Sequence, residues 1–373
     1  MNVSVIGAGI MGLSAAWALR RSGHHVGLYE QGDVPNELGS SFDQHRLIRY
    51  PYGARLGFTR MVAEAYASWD HLWEDLGETL HVRTGTLALG RVENSWAEAS
   101  AATLASAGMP MRALSAADVE RIYPMLRADD LRVAYYLESG GTLLASRIVA
   151  ALARWLRENG VGIRERARIA RVDVERAALE MEDGTRVNAD ALVLAAGAWV
   201  TRLLPDMSGR VTPSRQVVAY VRPPARFKGH WSVAPMLLDL DGELGFYLVP
   251  PVPGTDMKIG KHAFTLRGDP DREREAGEAE TRDIFARARR TLRDFDDYTI
   301  VGARTCFYTV EPDERFIVEQ RGKTWLISAC SGHGFKFGPA IGRAVADGVS
   351  GRRAAAEIAA WATGEYKEAD VRS

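Results

Sequence analysis

The sequence predicts an α/β protein of two domains, one built on a parallel sheet with helices and the other on an antiparallel sheet. Three observations lead there. The chain opens with a strand, a glycine-rich turn, a helix and a second strand within residues 2–30. Strand-like runs with turn signals alternate over residues 211–265 and recur at 81–90 and 135–144. Buried strand-and-turn segments then recur at 191–197 and 325–329. A chain of 373 residues is also longer than one simple core ordinarily supports. The order of these segments makes the first domain discontinuous, over 1–80, 141–210 and 300–373, and gives 81–140 and 211–299 to the second.

Each element has its own signal. Residues 2–6 are a short apolar strand, and Gly7-Ala-Gly9-Ile-Met-Gly12 follows at once. A helical run over 13–21 ends near Gly23, and 25–30 is the second strand. Residues 55–77 carry Phe58, Met61, Val62, Ala65, Trp69 and Leu72 at helical spacing. Residues 81–90 read as one strand, Ser115 caps a short helix to 123, and 135–144 is extended around Gly140-Gly141. Ser146 is expected to cap a helix closed by Gly160, with Ile148, Val149, Leu152, Trp155 and Leu156 on its apolar face. Asp183-Gly184 turns a strand pair. Further strands fall at 216–221, 236–239, 244–249 and 257–262, a charged helix at 277–294, and β-rich chain at 299–318. The strand at 325–329 runs into Cys330-Ser-Gly-His-Gly-Phe-Lys-Phe, and helices at 338–349 and 353–363 follow.

Composition excludes several classes. Hydrophobic residues at 46% and charged residues at 25% suit a globular protein in water. A net charge of -1 provides no basic field for nucleic acid or an anionic membrane, and no stretch is long enough to span a bilayer. Two cysteines, Cys306 and Cys330, cannot build a disulfide scaffold, and the start of the chain carries no basic region or cleavage signal. The expectation is a cytoplasmic monomer. The eight histidines show no metal-like spacing, so no metal site is expected.

Gly7, Gly9 and Gly12 sit in the context that gives a Gly-x-Gly-x-x-Gly motif meaning, with a strand before, a helix after and an acid at Glu30. Gly7 permits the tight turn, Gly9 lets the backbone approach a pyrophosphate, and Gly12 lets the helix pack on the strand. The helix N-terminus then faces the pyrophosphate charge, and Glu30 accepts from ribose hydroxyls. The acid disfavours a 2′-phosphate and so NADP. The motif alone leaves NAD and FAD open. The later Ala195-Ala-Gly197 turn argues for FAD, since large two-domain flavoproteins place such a segment against the cofactor.

Several stretches then agree on one family. They are Val5-Ile-Gly-Ala-Gly with Glu30, Gly39-Ser-Ser-Phe-Asp-Gln-His-Arg-Leu-Ile-Arg49, Met257-Lys-Ile-Gly-Lys-His262, Cys306-Phe-Tyr-Thr-Val-Glu-Pro-Asp313 and Ser331-Gly-His-Gly-Phe-Lys-Phe337. Together they span the chain in order, and the sequence resembles the monomeric sarcosine oxidase and N-methyltryptophan oxidase family within the D-amino acid oxidase superfamily. The resemblance implies a two-domain flavoprotein with a Rossmann-like FAD-binding domain and an antiparallel substrate domain. It implies oxidation of the C–N bond of a secondary, N-methyl or cyclic, amino acid to an imine, with O2 reduced to H2O2.

Residue by residue, the resemblance joins Cys306 covalently to the flavin 8-methyl group, a bond that fixes the ring and raises its potential. Taken alone, a cysteine is ordinarily a small buried hydrophobe, and Cys330 is read that way. In an extended segment Arg46 and Arg49 point to opposite faces. The resemblance sets Arg46 against the flavin and Arg49 on the substrate carboxylate, which a guanidinium fork suits. Lys336 resembles the second carboxylate ligand. Gly332 and Gly334 would bring backbone N–H groups to the flavin pyrimidine oxygen, where charge builds on reduction. Ser41, His45, Ile169 and His333 join the expected cofactor contacts. Lys258 resembles the lysine that holds a water near flavin N5 and activates O2, although a strand lysine is ordinarily a solvated edge charge. His262 resembles an active-site histidine, and Tyr247 and Tyr308 are expected pocket walls that could equally be core aromatics.

Two departures bear on substrate. Phe42 stands where many relatives have a histidine, and Asp43-Gln-His45 replaces the Gly-Asp-Thr typical of sarcosine oxidases. Phenylalanine neither titrates nor donates, which puts sarcosine itself in doubt. Competing readings are a dehydrogenase with another electron acceptor, a tailoring oxidase of a biosynthetic intermediate, and a non-catalytic flavin-binding module. The last would have no use for Arg49, Lys336 and Lys258 together.

Overall fold

The computed structural model describes residues 1–365. Its organising element is β1 (Asn2–Ile6), which pairs in parallel with β2 (His25–Tyr29) on one side and with Ala191–Leu194 on the other. Six strands form this sheet, in the order Ile317–Arg321, Thr324–Ser328, Ala191–Leu194, β1, β2, Gly162–Arg164. Only the outermost pair, Ile317–Arg321 with Thr324–Ser328, is antiparallel. Unbroken apolar runs such as Ala-Leu-Val-Leu at 191–194 reflect cover on both faces. Val3, Val5 and Val193 face a core shared with α1 (Ile10–Arg21) and the helices Ala145–Glu158 and Gly338–Val349. Ile6, Leu192 and Leu194 face the opposite core, beneath an antiparallel meander of Ile169–Asp173, Ala178–Met181 and Arg186–Asn188.

The second sheet has eight strands and its own core of Leu87, Leu237, Phe246, Ile259, Ile284 and their neighbours. Its longest pairing joins Thr212–Arg222 to Thr299–Val310 in antiparallel register, with Gln216 opposite Cys306 and Ser214 opposite Tyr308. The sheet is antiparallel with one exception. Met236–Asp239 runs parallel to its neighbour Thr86–Gly90. These two strands belong to separate excursions of the chain, so no hairpin dictates their relative direction.

A three-stranded patch joins the two bodies. Gly141–Leu143 pairs on one side with β3 (Arg46–Ile48) and on the other with β4 (His81–Arg83), Leu143 lying opposite both Arg46 and His81. The expected strand at 81–90 is therefore two strands, β4 and β5 (Thr86–Gly90). Gly85 breaks it at φ +75°, where a Cβ would meet the Tyr136 ring at 2.6 Å. Helix α2 (Leu56–Leu76) ends on left-handed Gly77, whose N–H bonds Trp73 carbonyl. Helix α3 (Trp96–Ser106), which the sequence reading passed over, starts at a full capping box of Ser95 and Glu98. Ser146 is not a cap. Its helix begins at Ala145, and its hydroxyl instead accepts from Asp43 N at 3.1 Å and donates to Asp43 O at 2.7 Å.

Among the described residues no helix is long and apolar enough to cross a membrane, and no group of three or more His, Cys, Asp or Glu side chains could hold a metal ion.

The contact between α1 and Gly338–Val349 depends on missing side chains. A Cβ at Gly342 would lie 2.5 Å from the Ser14 carbonyl, and one at Gly338 would lie 2.6 Å from Ile10 Cγ1. Gly342→Val must push the helices apart, at a cost of about 3 kcal/mol. The measurement is the urea midpoint at unchanged slope; an unshifted midpoint would mean the helices do not touch as described.

Candidate active site

At the carboxyl end of β1 the glycines are sterically required. Gly7 has φ +97°, and a Cβ there would lie 2.4 Å from Ala195 carbonyl oxygen. A Cβ on Gly12 would fall 1.8 Å from Gly7 oxygen, so this glycine serves helix-on-turn packing. Gly9 caps α1 in extended backbone, next to Ser41, whose hydroxyl accepts from Ile10 N at 2.9 Å. Glu30, buried at the end of β2, accepts from Ala8 N at 2.7 Å, Asn36 Nδ2 at 2.8 Å and Gly32 N at 3.1 Å. Three donors leave a carboxylate room for a fourth.

A cleft of about 770 Å³ runs from this turn to the second sheet, within the upper part of the usual range for small-molecule sites. Of the expected residues, Gly7, Gly9, Glu30, Ser41, Arg46, Arg49, Ile169, Tyr247, Lys258, His262, Tyr308, Gly332, His333, Gly334 and Lys336 all line it. Gly12, His45 and Cys306 do not. His45 is fully buried with Nε2 on Asp256 carbonyl at 3.0 Å, and burial first, then Lys258, holds its pKa at about 3. It contributes its own carbonyl, which accepts from Lys258 Nζ and Arg46 Nη1. Cys306 lies buried two residues from Tyr308 on the same face of its strand, where burial pushes its thiol up and Arg46 opposes. The cysteine that lines the cleft is Cys330.

The second sheet supplies one wall. Tyr247 lies opposite Gly260, where a Cβ would strike its ring at 2.4 Å, and the Tyr308 ring seats on Gly332 at 2.5 Å in the same sense. Next to them Lys258, 1% exposed, donates to Asp43 Oδ2 at 3.0 Å and His45 O at 2.5 Å. Asp43 also pairs with Arg46 and accepts from Tyr220 at 2.6 Å. Phe42 packs beneath the Arg304 guanidinium, 4.5 Å from ring centroid, so the position has become a cation–π platform. His262 follows the strand Met257–Lys261 and lines the cleft with its side chain open to solvent; desolvation by the surrounding walls, then Arg49 and Arg55, lower its pKa to about 4.

The opposite wall gathers positive charge. Arg49 stacks over Tyr52 at 4.6 Å and Trp96 at 5.2 Å and donates to Pro51 O. Lys336 Nζ donates to Tyr52 OH and His333 O, each at 2.9 Å. Tyr52 OH lies 3.2 Å from His333 Nδ1, and His333 Nε2 lies 3.0 Å from Glu314 O. Trp69 of α2 fixes the segment by donating to Lys336 O at 2.7 Å. Burial lowers the pKa of both Arg49 and Lys336, and among the described residues neither has a carboxylate within ion-pair distance. Arg46 and Arg49 do reach different targets, as opposite faces require. The sequence reading missed Tyr52, Trp96 and Glu314. The Ser95 capping box was a signal for Trp96; Tyr52 and Glu314 carried none.

The glycine cradle, the helix N-terminus, Glu30 with a lone pair to spare and the length of the cleft fit FAD, whose nucleotide half Gly7, Gly9, Glu30, Ser41 and Ile169 could hold. Known proteins agree. Over 374 residues the chain is 24% identical to N-methyl-L-tryptophan oxidase of Yersinia pestis (strain Pestoides F), covering 98% of this chain and 99% of that one. Its fold matches L-proline dehydrogenase from P. horikoshii with a TM-score of 0.82 at 18% identity, over 97% of this chain and 96% of that one. It also matches NikD, described as an unusual amino acid oxidase essential for nikkomycin biosynthesis, with a TM-score of 0.80 at 21% identity, over 95% and 94%. The DAO family model of FAD-dependent oxidoreductases matches residues 2–348, and the chain belongs to that family.

Proposed function

We propose that this enzyme oxidises the CH–NH bond of a secondary amino acid to an imine, with dioxygen reduced to hydrogen peroxide. The observation that carries the reading is the pair of buried cations, Arg49 and Lys336, held side by side on Tyr52 without a counter-ion. A buried charge left unpaired is costly, so the site is built for an anion that arrives. An amino acid's carboxylate is the anion of the right size. FAD, when bound, accepts the hydride from the carbon next to the substrate nitrogen.

The chain's own residues do the rest. Arg49 presents a planar fork already stiffened by Tyr52 and Trp96, so little side-chain freedom is lost on binding. Lys336 adds a second charge that Tyr52 and His333 O orient. His262, uncharged above about pH 4, offers a ring nitrogen to the substrate N–H without repelling it. Tyr247, Tyr308, Leu240 and Phe264 give the remaining wall apolar and aromatic surface, which suits a substrate larger than glycine. Arg46 and Lys258 add positive charge to the cleft, which would stabilise a reduced cofactor held there. Attachment of the cofactor through Cys306 belongs to this reading on position alone, because its face of the strand is shared with Tyr308; burial raises its thiol pKa more than Arg46, Lys258 and Arg304 lower it.

The first test is anaerobic bleaching of the flavin band by N-methyl amino acids, L-proline, L-pipecolate and D-amino acids. One class should bleach it rapidly, and air should then restore the band with peroxide formed. A loaded protein that none of them bleaches refutes the reading. Lys336→Met should lower kcat/KM on the order of a hundredfold, chiefly through KM. The same change should stabilise the substrate-free protein by about 1 kcal/mol, because it removes one of two adjacent buried charges; a lower melting temperature would show that Lys336 is a packing residue. The His262 ring takes its proton only below about pH 4. A kcat/KM profile with a limb near 6.5 that His262→Asn abolishes would contradict this assignment.

A further inference from the structure

Asp43 is a single buried carboxylate with two cationic partners. It is 3% exposed, in the loop that departs from the Gly-Asp-Thr pattern of the resembling family. Four elements hold it. Its backbone is clamped by Ser146 at the start of the helix Ala145–Glu158, through N and O both. Its Oδ1 accepts from Tyr220 of Thr212–Arg222 at 2.6 Å. Its Oδ2 meets Lys258 of Met257–Lys261 at 3.0 Å and pairs with Arg46 of β3. Lys258 has three N–H groups; Asp43 and His45 O take two. Among the described residues the third has no protein acceptor, and Lys258 lines the cleft.

Counting charge around Lys258 gives three cations, Lys258 itself with Arg46 and Arg304, and one carboxylate, Asp43. Without Asp43, Lys258 and Arg46 would stand together in low dielectric, where like charges repel by several kcal/mol. We propose that Asp43 is a positioning residue for the oxidation reaction: it fixes Lys258 and Arg46 beside one another and lowers the net positive charge at this end of the cleft by one. This rests on the amine-oxidation reading and adds the group that tunes its electrostatics. The same carboxylate tempers the charge that Lys258 shows to an incoming acceptor, so it bears on the choice between dioxygen and another oxidant.

The test reads charge without turnover. Sulfite is an anion whose binding bleaches the flavin band, and its dissociation constant on the flavin-loaded protein reports the field at the floor. Asp43→Asn keeps shape and loses charge. If Lys258 stays protonated, the sulfite dissociation constant should fall on the order of tenfold. If Lys258 sheds its proton instead, sulfite affinity should acquire a pH step that Lys258→Met removes. The other groups facing Lys258 are Arg46 from β3, Tyr220 from Thr212–Arg222, and Arg304 and Cys306 from Thr299–Val310, with His45 uncharged above about pH 3. All are unchanged in the variant. A loaded Asp43→Asn protein with the wild-type constant from about pH 6 to pH 9 overturns the proposal. If Asp43→Asn does not load flavin, the double variant with Lys258→Met, which removes one stranded cation, should restore loading. A double variant as defective as the single one makes Asp43 a packing residue and overturns the proposal. A wild-type protein that binds sulfite yet is bleached by no amine marks failure of the amine reading alone, and the sulfite constants still decide the role of Asp43.

Discussion

Burial of like charge is the constraint around which this molecule is arranged. Arg46 and Lys258 lie at the cleft floor, and Arg49 and Lys336 lie on the far wall. At an effective dielectric near 20, neighbouring unit charges cost roughly 2–4 kcal/mol per pair. A fold tolerates this only if the side chains cannot escape. Here every one is held from behind. Lys336 has Tyr52 and His333 O, Arg49 has two aromatic faces, Lys258 has Asp43 and His45 O, and Arg46 has Ser40 O and His45 O. Most of these partners are backbone carbonyls or aromatic rings, which orient a cation without cancelling its charge. The positive field is thereby kept for ligands.

That arrangement explains why two stretches with little regular structure are so firmly tied. The 39–49 segment is fixed through Ser41 to α1, through Asp43 to Ser146 and Tyr220, and through Gln44 and His45 to Asp256. The 331–337 segment is fixed through Trp69 on α2 and through His333 on Glu314. Each segment presents cations on one side and is anchored in a different sheet or helix layer on the other. These two segments carry Arg46, Arg49 and Lys336, and the strand Met257–Lys261 carries Lys258.

How much of this could be read from the sequence follows the range of each interaction. The β1–α1–β2 unit was legible because its glycines answer to local sterics: Gly7 meets Ala195, Gly12 meets Gly7. Helix α2 announced itself through periodicity, and its bounds agree within one residue at each end. Ser146 was misread for the opposite reason. A serine before an apolar run looks like a cap whatever it bonds to, and its partner Asp43 is 103 residues away. The split at Gly85 was hidden because the Tyr136 ring that excludes a side chain there comes from another strand. Among site residues, most of those in motif context line the cleft, with Gly12, His45 and Cys306 as exceptions, whereas Tyr52 and Glu314 owe their importance to His333, a distant partner that no local pattern names.

The parallel pair of Met236–Asp239 with β5 shows why the second sheet can support the first. A sheet closed by hairpins alone would have its strand order set by sequence neighbours. Here the chain leaves for the nucleotide-binding body after Val133–Leu137 and returns at Thr212, so strands from two excursions meet edge to edge. The junction buries Arg91 against Asp239, with Asp241 accepting from Arg91 N and Trp96 N. Trp96 is the ring on which Arg49 stacks. Arg49 itself follows β3, in the patch that also takes Gly141–Leu143 from the departing chain. The guanidinium that faces the cleft is therefore held by residues on both sides of the crossing. A change that loosens either body moves Arg49 relative to Lys336, because no covalent or ionic link between the two cations keeps their spacing.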